Sequence, residues 1–227
     1  MSITQVAVIQ IAGAVRNTLS AARLGTYEAI ATAAGRDAEA AVSLYAWNAL
    51  ISGALLPPLH LCEVAIRNAV SDALEALYGV RWPWNPTFER SLPRQGGPGY
   101  NALNDLQQVR NKSPSTGQVI TELKFVFWEK MLTSRHDGRV WNPHLLRVLP
   151  NLDQATPVAT LRLEIHNDLK KIRLLRNRIA HHEPIFRRNL QDDLGVITRL
   201  VESRCKVSSI WMMGFQQVQS LITAKPF

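Results

Sequence analysis

Apolar residues recur three and four positions apart along most of this chain, the spacing of one face of an α-helix. The segment "SLYAWNALISGALL" carries that pattern up to Pro57-Pro58, where a proline pair predicts a stop or kink. A second helix, "LHLCEVAIRNAVSDALEALYG", follows and is predicted to stop at Gly79. Within it Glu63 stands four residues before Arg67, the favourable order for a helical ion pair. "TGQVITELKFVFWEKMLTS", Thr116 to Ser134, reads as a further helix with Val119, Leu123, Val126, Phe127 and Met131 at helical spacing. Three more are predicted, from about Val158 to a histidine pair, about Leu190 to Cys205, and about Ser208 to Ala224.

Between these helices lie two loop-rich insertions. "RWPWNPTFERSLPRQGGPGYN" is rich in proline and glycine and is predicted to be stapled by Trp82 and Trp84. It is the best candidate for an internal boundary, with one core shared across it. "RHDGRVWNPHLLRVLPNLDQATP" is the second insertion. No alternating strand pattern bounded by hairpin turns is present, and no repeat period suggests a solenoid. The expected fold class is all-α in a single domain spanning residues 1–227, with helices in 1–40 and 190–224 packed on a central part.

The helix before the histidines poses a question. With Leu161 at zero and about 100° per residue, Ile165, Leu169, Ile172 and Ile179 fall within about 80° of one another. Arg176 falls at about 60°, inside that stripe. A charge facing a core is costly unless paired or opening onto water. Arg176 is therefore expected to meet a buried acid or to line a cleft. Asn177 lies next to it, able to order neighbours by hydrogen bonds. Glu183-Pro184 predicts a helix end at His181–His182, where histidines also suit the helix dipole.

Composition narrows the setting. The chain has 227 residues, 46% of them hydrophobic, enough for a real core. Its 26 basic and 18 acidic residues leave a net charge of +8, which suits an anionic partner, nucleic acid first. Two distant cysteines, Cys62 and Cys205, argue against a disulfide framework and for a reducing cytoplasm. The N-terminal stretch lacks a basic region before its apolar residues, so no signal peptide is expected. Asn48, Pro57, Pro58, His60 and Glu63 interrupt the longest apolar run, Ala46 to Ile66, so no membrane association is expected.

Charge concentrates around the question helix. From Asn167 to Leu190, seven basic residues face two acids: Lys170, Lys171, Arg173, Arg176, Arg178, Arg187 and Arg188 against Asp168 and Glu183. Such a cluster suits a polyanion backbone. It also suits phosphodiester cleavage, in which histidine moves a proton near neutral pH and arginine offsets charge on phosphate. With RNA as substrate, its 2′-hydroxyl can be the nucleophile, and no metal or other cofactor is required. The plainer alternative is a basic helix end that caps its own dipole. His166 lies 15 residues before His181, which is not a metal-ligand spacing, so no metal is expected. The six tryptophans are expected in core and interface. The Gly96-Gly97-Pro98-Gly99 run reads as a turn without a phosphate-loop lysine.

"RNRIAH", Arg176 to His181, resembles the Arg-x4–6-His signature of HEPN domains in its Arg-Asn-x-x-x-His form. The longer "LLRNRIAHHEPIF" resembles the closing motif of Abi-like (abortive infection) proteins. Two more segments are similar in the same order. "LYAWNALISGALLPPLHLCEVAIRNAV" holds a Glu-x-x-x-Arg-Asn pattern at Glu63, Arg67 and Asn68, and "ITELKFVFWEKML" a Glu-Leu-x-Phe-x-Phe-Trp pattern. Together they span about residues 44–186. The resemblance implies a HEPN-like helical bundle, usually dimeric, in which motif helices of two subunits form a composite cleft. It implies a metal-independent endoribonuclease in phage defence or a toxin, in some members held by an antitoxin or regulator. On that footing Arg176 grips phosphate, His181 is the acid/base group or transition-state stabiliser, and Asn177 orients the site. His182, Glu183, Glu63, Arg67 and Asn68 are supporting candidates. The tyrosine modified in some HEPN toxins is replaced here by Pro184, Ile185 and Phe186, and the family's Phe-Gly-Phe-Trp carries Val126 in place of glycine. A non-catalytic RNA-binding or protein-interaction module is the alternative that the same fold allows. For the Glu63–Arg67–Asn68 group, the alternative to a site role is a buried pair bracing two helices.

Overall fold

The computed structural model describes residues 3–93 and 99–227, with side chains from residue 11 onward. The fold is all-α, and no strand occurs among the described residues. Three helices open it: α1 (Ile3–Leu19), α2 (Ala21–Ala33) and α3 (Ala38–Tyr78). Short helices follow as α4 (Pro86–Ser91), α5 (Ala102–Arg110), α6 (Thr116–Glu122), α7 (Phe125–Met131) and α8 (Asn142–Val148). The chain ends in α9 (Val158–Ala180), α10 (Leu190–Arg204), α11 (Lys206–Phe215) and α12 (Val218–Thr223).

The centre of the bundle is α3, with α1, α2, α7, α8, α9, α10 and α12 all packed against it. Asp37 caps its start, its carboxylate accepting from the Ala40 amide at 3.0 Å. Gly79 ends it, as its sequence position predicts, with φ of 82° in the left-handed region that glycine adopts without strain. The proline pair does not stop this helix: Pro57 and Pro58 lie inside 41 continuous residues. An interior proline costs about 3 kcal/mol through its missing N–H and ring clash. Against that, Leu44, Ile51, Leu55, Leu59, Cys62 and Ile66 are each at most 3% exposed. At about 1.5–3 kcal/mol per buried aliphatic side chain, packing outweighs the local penalty. By length and composition α3 is also apolar enough to cross a membrane; in this fold its buried side forms the spine of the core.

The Thr116–Ser134 helix is broken in two. Leu123 and Lys124 take extended backbone angles and separate α6 from α7. The break turns Phe127 and Trp128 into a ring cluster with Trp82 and Phe88, with centroids 5.2–6.4 Å apart. Trp82 is fully buried and donates through Nε1 to Ser71 Oγ at 3.0 Å, so the expected staple holds at Trp82. Trp84 is only half-buried, beneath the Arg81 guanidinium. The two insertions are more ordered than their composition predicts. The first holds a tight turn at Trp82–Trp84 and α4, capped by Asn85. The second holds short turns from Ser134 to Trp141 and then α8. The glycine-rich run falls at Gly96–Pro98 outside the described residues. The single helix expected near the C-terminus is likewise two, α11 and α12.

Candidate functional site

The stripe of α9 buries as predicted: Leu161, Ile165, Leu169, Ile172 and Ile179 are each at most 7% exposed. Arg162 shares that burial at 7%. It is held by Asp137 through Nε at 2.9 Å and Nη2 at 3.1 Å, a fork-on-fork pair that tolerates burial. Arg176 departs from its helical position in the stripe. Its side chain is 45% exposed and its Nε lies 3.4 Å from Glu63 Oε2. Leu175 takes the buried place beside it. The expected acid is therefore present on α3, at the rim of the core.

Glu63 is a hub. One carboxylate oxygen takes Arg67 Nη2 and the other faces Arg176. Arg67 also donates from Nη1 to the Thr121 carbonyl at 3.2 Å, so the group ties α3 to α6 and α9. Burial pulls the Arg67 pKa below its ordinary value, Glu63 opposes that shift, and the like charge of Arg176 adds to it. Arg67 Nε is buried without a hydrogen-bond partner among the described residues. Asn68 is exposed on the next position. The bracing arrangement and proximity to Arg176 thus occur in one cluster.

The end of α9 is fixed by hydrogen bonds within the turn and by two from α2 and α3. The His181 amide bonds the Asn177 carbonyl at 3.0 Å, and the Glu183 amide reaches back to the Arg178 carbonyl at 2.8 Å. Between them His182 sits at φ 55°, a left-handed position normally filled by glycine. Arg23 Nη1 donates to the His182 carbonyl at 2.8 Å, and the Ile185 amide to Asn48 Oδ1 at 2.8 Å. Asn177 and His181, four apart, lie along one side of the helix end, with Asn177 half-buried and His181 exposed. Arg176 and His181 are five apart, about 140° around the axis and about 7.5 Å along it. One chain presents them on different faces of the helix.

The basic cluster is less free than its sequence implies. Arg173 donates to Glu129 Oε2 at 2.5 Å, and Glu129 is 2% exposed. Arg188 grips Asp193 at 2.8 and 2.6 Å. Both were expected to contact RNA, and both are instead paired with near-buried acids. Arg178 pairs with Glu183 at 3.1 Å, and Lys171 with Asp192 at 3.8 Å, on the surface. Lys170 and Arg187 are exposed and, among the described residues, have no acidic partner. Apart from Glu183, the neutralising acids come from α3, α7 and α10, outside the segment whose charge looked unbalanced.

Chemically, this surface offers a partly exposed guanidinium, an imidazole and an amide at one helix end, with Lys170 and Arg187, which lack acidic partners among the described residues, in the same stretch of chain. That set can bind an anion and exchange a proton. His166 is turned away, its Nδ1 lying 3.1 Å from the Glu129 carbonyl oxygen. Sequence reasoning missed Tyr27, Asn48 and Arg23, which surround His182. The usable signal was Asn48, a polar residue within an apolar helical face. Compared with models of known families, with curated proteins and with solved structures, the chain returns no match.

Proposed function

We propose that this chain is a metal-independent endoribonuclease of the HEPN kind, acting as a homodimer in phage defence or as a toxin. The observation that carries this reading is Arg176. Glu63 approaches it through Nε, and its two Nη groups make no hydrogen bond among the described residues. A guanidinium fixed on one side and open on the other suits bidentate capture of a phosphate. Asn177 and His181 stand at the adjoining helix end.

In the proposed reaction the 2′-hydroxyl of a ribose attacks the adjacent phosphorus. The 2′-oxygen–phosphorus bond forms and the phosphorus–5′-oxygen bond breaks. A base takes the 2′-hydroxyl proton and an acid returns one to the leaving 5′-oxygen, giving a 2′,3′-cyclic phosphate and a 5′-hydroxyl. His181 serves as one of these two groups. The symmetry-related His181 supplies the other, because Arg176 and His181 of one chain lie on different faces. Arg176 offsets the charge that builds on the phosphoryl oxygens. Leu50 and Val64, exposed apolar residues on one side of α3, the helix that also carries Glu63, support pairing of two copies there.

The rival reading is a non-catalytic RNA-binding or interaction module, favoured by the pairing of Arg176 with Glu63. Purified protein incubated with end-labelled RNA in excess chelator separates the two. Cleavage leaving 2′,3′-cyclic ends, lost in Arg176→Ala and His181→Ala while RNA binding persists, is the expected result. Binding without cleavage in the unaltered protein favours the module.

A further inference from the structure

Beside the helix end lies a cavity of about 220 Å³, walled by α2, α3 and the turn after α9. Tyr27, Tyr45, Asn48, Gly53, Leu56 and His182 contribute to it. Four features set it apart from ordinary packing space. The first is Tyr27, whose side chain is fully buried and whose hydroxyl has no hydrogen-bond partner. Leaving a buried hydroxyl unpaired costs stability, and such a group asks for a reason. Burial, with the neighbouring Tyr45, pushes the Tyr27 pKa up to about 12, so the hydroxyl keeps its proton.

The second feature is Asn48, 6% exposed. Its Oδ1 is committed to the Ile185 amide at 2.8 Å, which fixes the orientation of the side-chain amide. The Nδ2 donors have no acceptor among the described residues. The third is His182, held at φ 55° where glycine would be unstrained. Its carbonyl is pinned by Arg23 while its side chain remains at the cavity. The fourth is Gly53, in the interior of α3, where glycine costs about 1 kcal/mol relative to alanine. A Cβ added there meets nothing within 4 Å, so tight packing does not require glycine. What glycine provides at this position is an open rim.

We propose that this cavity is a base-binding subsite that receives one unstacked nucleobase of the RNA chain whose phosphate lies at Arg176 and His181. The half-buried Tyr45 ring and the exposed His182 ring, with an aliphatic wall, form the kind of platform on which a base face stacks. The Asn48 amide donates to a ring carbonyl, and the Tyr27 hydroxyl, closed off from solvent in the unliganded fold, acquires the partner it lacks once the exposed His182 side chain shifts to admit the base. An edge rich in carbonyl acceptors, as in uracil or guanine, fits these donors better than adenine. A volume of about 220 Å³ is on the scale of one heterocyclic base. His182 directly follows His181, so a base here and a phosphate there belong to adjoining nucleotides. This inference rests on the nuclease reading and adds a source of sequence preference to it.

The test uses the full chain and four homopolymeric 2′-O-methyl oligonucleotides, which resist cleavage, with matched versions carrying one abasic position. Affinity is read by fluorescence anisotropy for the unaltered protein, Gly53→Leu and Tyr27→Phe. Gly53→Leu restores helix propensity while closing the rim, and Tyr27→Phe removes no internal hydrogen bond, so both are expected to fold with undiminished melting temperature. The expected result is tightest binding to oligouridylate or oligoguanylate and a loss of about 5- to 150-fold at one abasic position. Gly53→Leu should show the same loss on intact oligomer and no further loss on the abasic one. Tyr27→Phe should lose about 2- to 10-fold. Equal binding of intact and abasic oligomers, or unaltered binding by Gly53→Leu, overturns the subsite and leaves the nuclease reading standing. Binding of uridine or guanosine monophosphate that Gly53→Leu abolishes, with no binding of any oligomer, overturns RNA as the source of the base and the nuclease reading with it. No binding of oligomer or monophosphate by the unaltered protein overturns both.

Discussion

Glu63 Oε2 lies 3.4 Å from Arg176 Nε, and the other oxygen of the same carboxylate holds Arg67. One acid thereby joins a mostly buried arginine to one that is nearly half exposed. The two pairs differ in surroundings and so in energy. The Glu63–Arg67 pair is largely withdrawn from water, and removing one partner leaves the other uncompensated. The Glu63–Arg176 pair is screened by solvent. In double-mutant cycles read by urea unfolding, Glu63→Gln with Arg67→Met is expected to show coupling of about 1–3 kcal/mol. Glu63→Gln with Arg176→Met is expected to stay below about 1 kcal/mol. Equal coupling in both cycles contradicts the hub arrangement.

Pro57 gives a second expectation. It is exposed on α3, and its missing N–H leaves the Gly53 carbonyl without a helical donor. Replacing it by alanine supplies that donor and removes a ring clash without opening a core cavity. Pro57→Ala is expected to raise stability by about 1–3 kcal/mol, read as a higher melting temperature. Pro58 is buried, so Pro58→Ala should gain less because packing is lost. A fall in melting temperature for Pro57→Ala refutes this account of the helix.

These residues also show how far sequence carries. The limits of α9 were legible, because its stripe is periodic and Glu183-Pro184 forces an end. So was Gly79, whose left-handed backbone is a local requirement. The continuity of α3 was not, since a local proline rule was outweighed by burial supplied from other helices. The break at Leu123–Lys124 was hidden in the same way: the segment keeps helical spacing, and only the Trp82 ring cluster turns it. At the site, Arg176 was legible as a charge that must meet an acid or open onto a cleft, and that it does both, pairing with Glu63 while nearly half exposed, was not. Arg173 and Arg188 looked free because Glu129 lies on another helix and Asp193 just beyond the counted window.

His136 sets a pH dependence. It is 4% exposed, and burial, with a smaller push from Arg135 against Asp137, lowers its pKa from 6.5 to about 4. The folded chain thus keeps this imidazole neutral where the unfolded chain takes up a proton. The stability it contributes is complete above pH 6.5 and is lost as pH falls towards 4, below which both states are protonated. That shift corresponds to about 3 kcal/mol. Urea unfolding of the unaltered protein should show stability falling across this window. In His136→Phe the fall should be shallower by about that amount. An unchanged slope in the variant assigns the dependence elsewhere.

Lys170 and Arg187 stand apart from the other cations of their segment. Both are exposed, and neither has an acidic partner among the described residues, whereas Arg173 and Arg188 hold acids that are almost buried. If RNA is bound, a cation already neutralised internally releases few counterions, while a free one adds a full phosphate contact. Lys170→Gln and Arg187→Gln are each expected to weaken RNA binding and to reduce the slope of log affinity against log salt by about 1. Neither should change the unfolding free energy by more than about 0.5 kcal/mol. Arg188→Gln should do the reverse. It leaves Asp193 buried and unpaired, at a cost of about 2–4 kcal/mol, with the salt slope unchanged. Anisotropy titrations across a salt series, paired with urea unfolding of the same three variants, separate the roles. A reduced salt slope for Arg188→Gln would place that arginine back among the phosphate contacts that its sequence position first suggested.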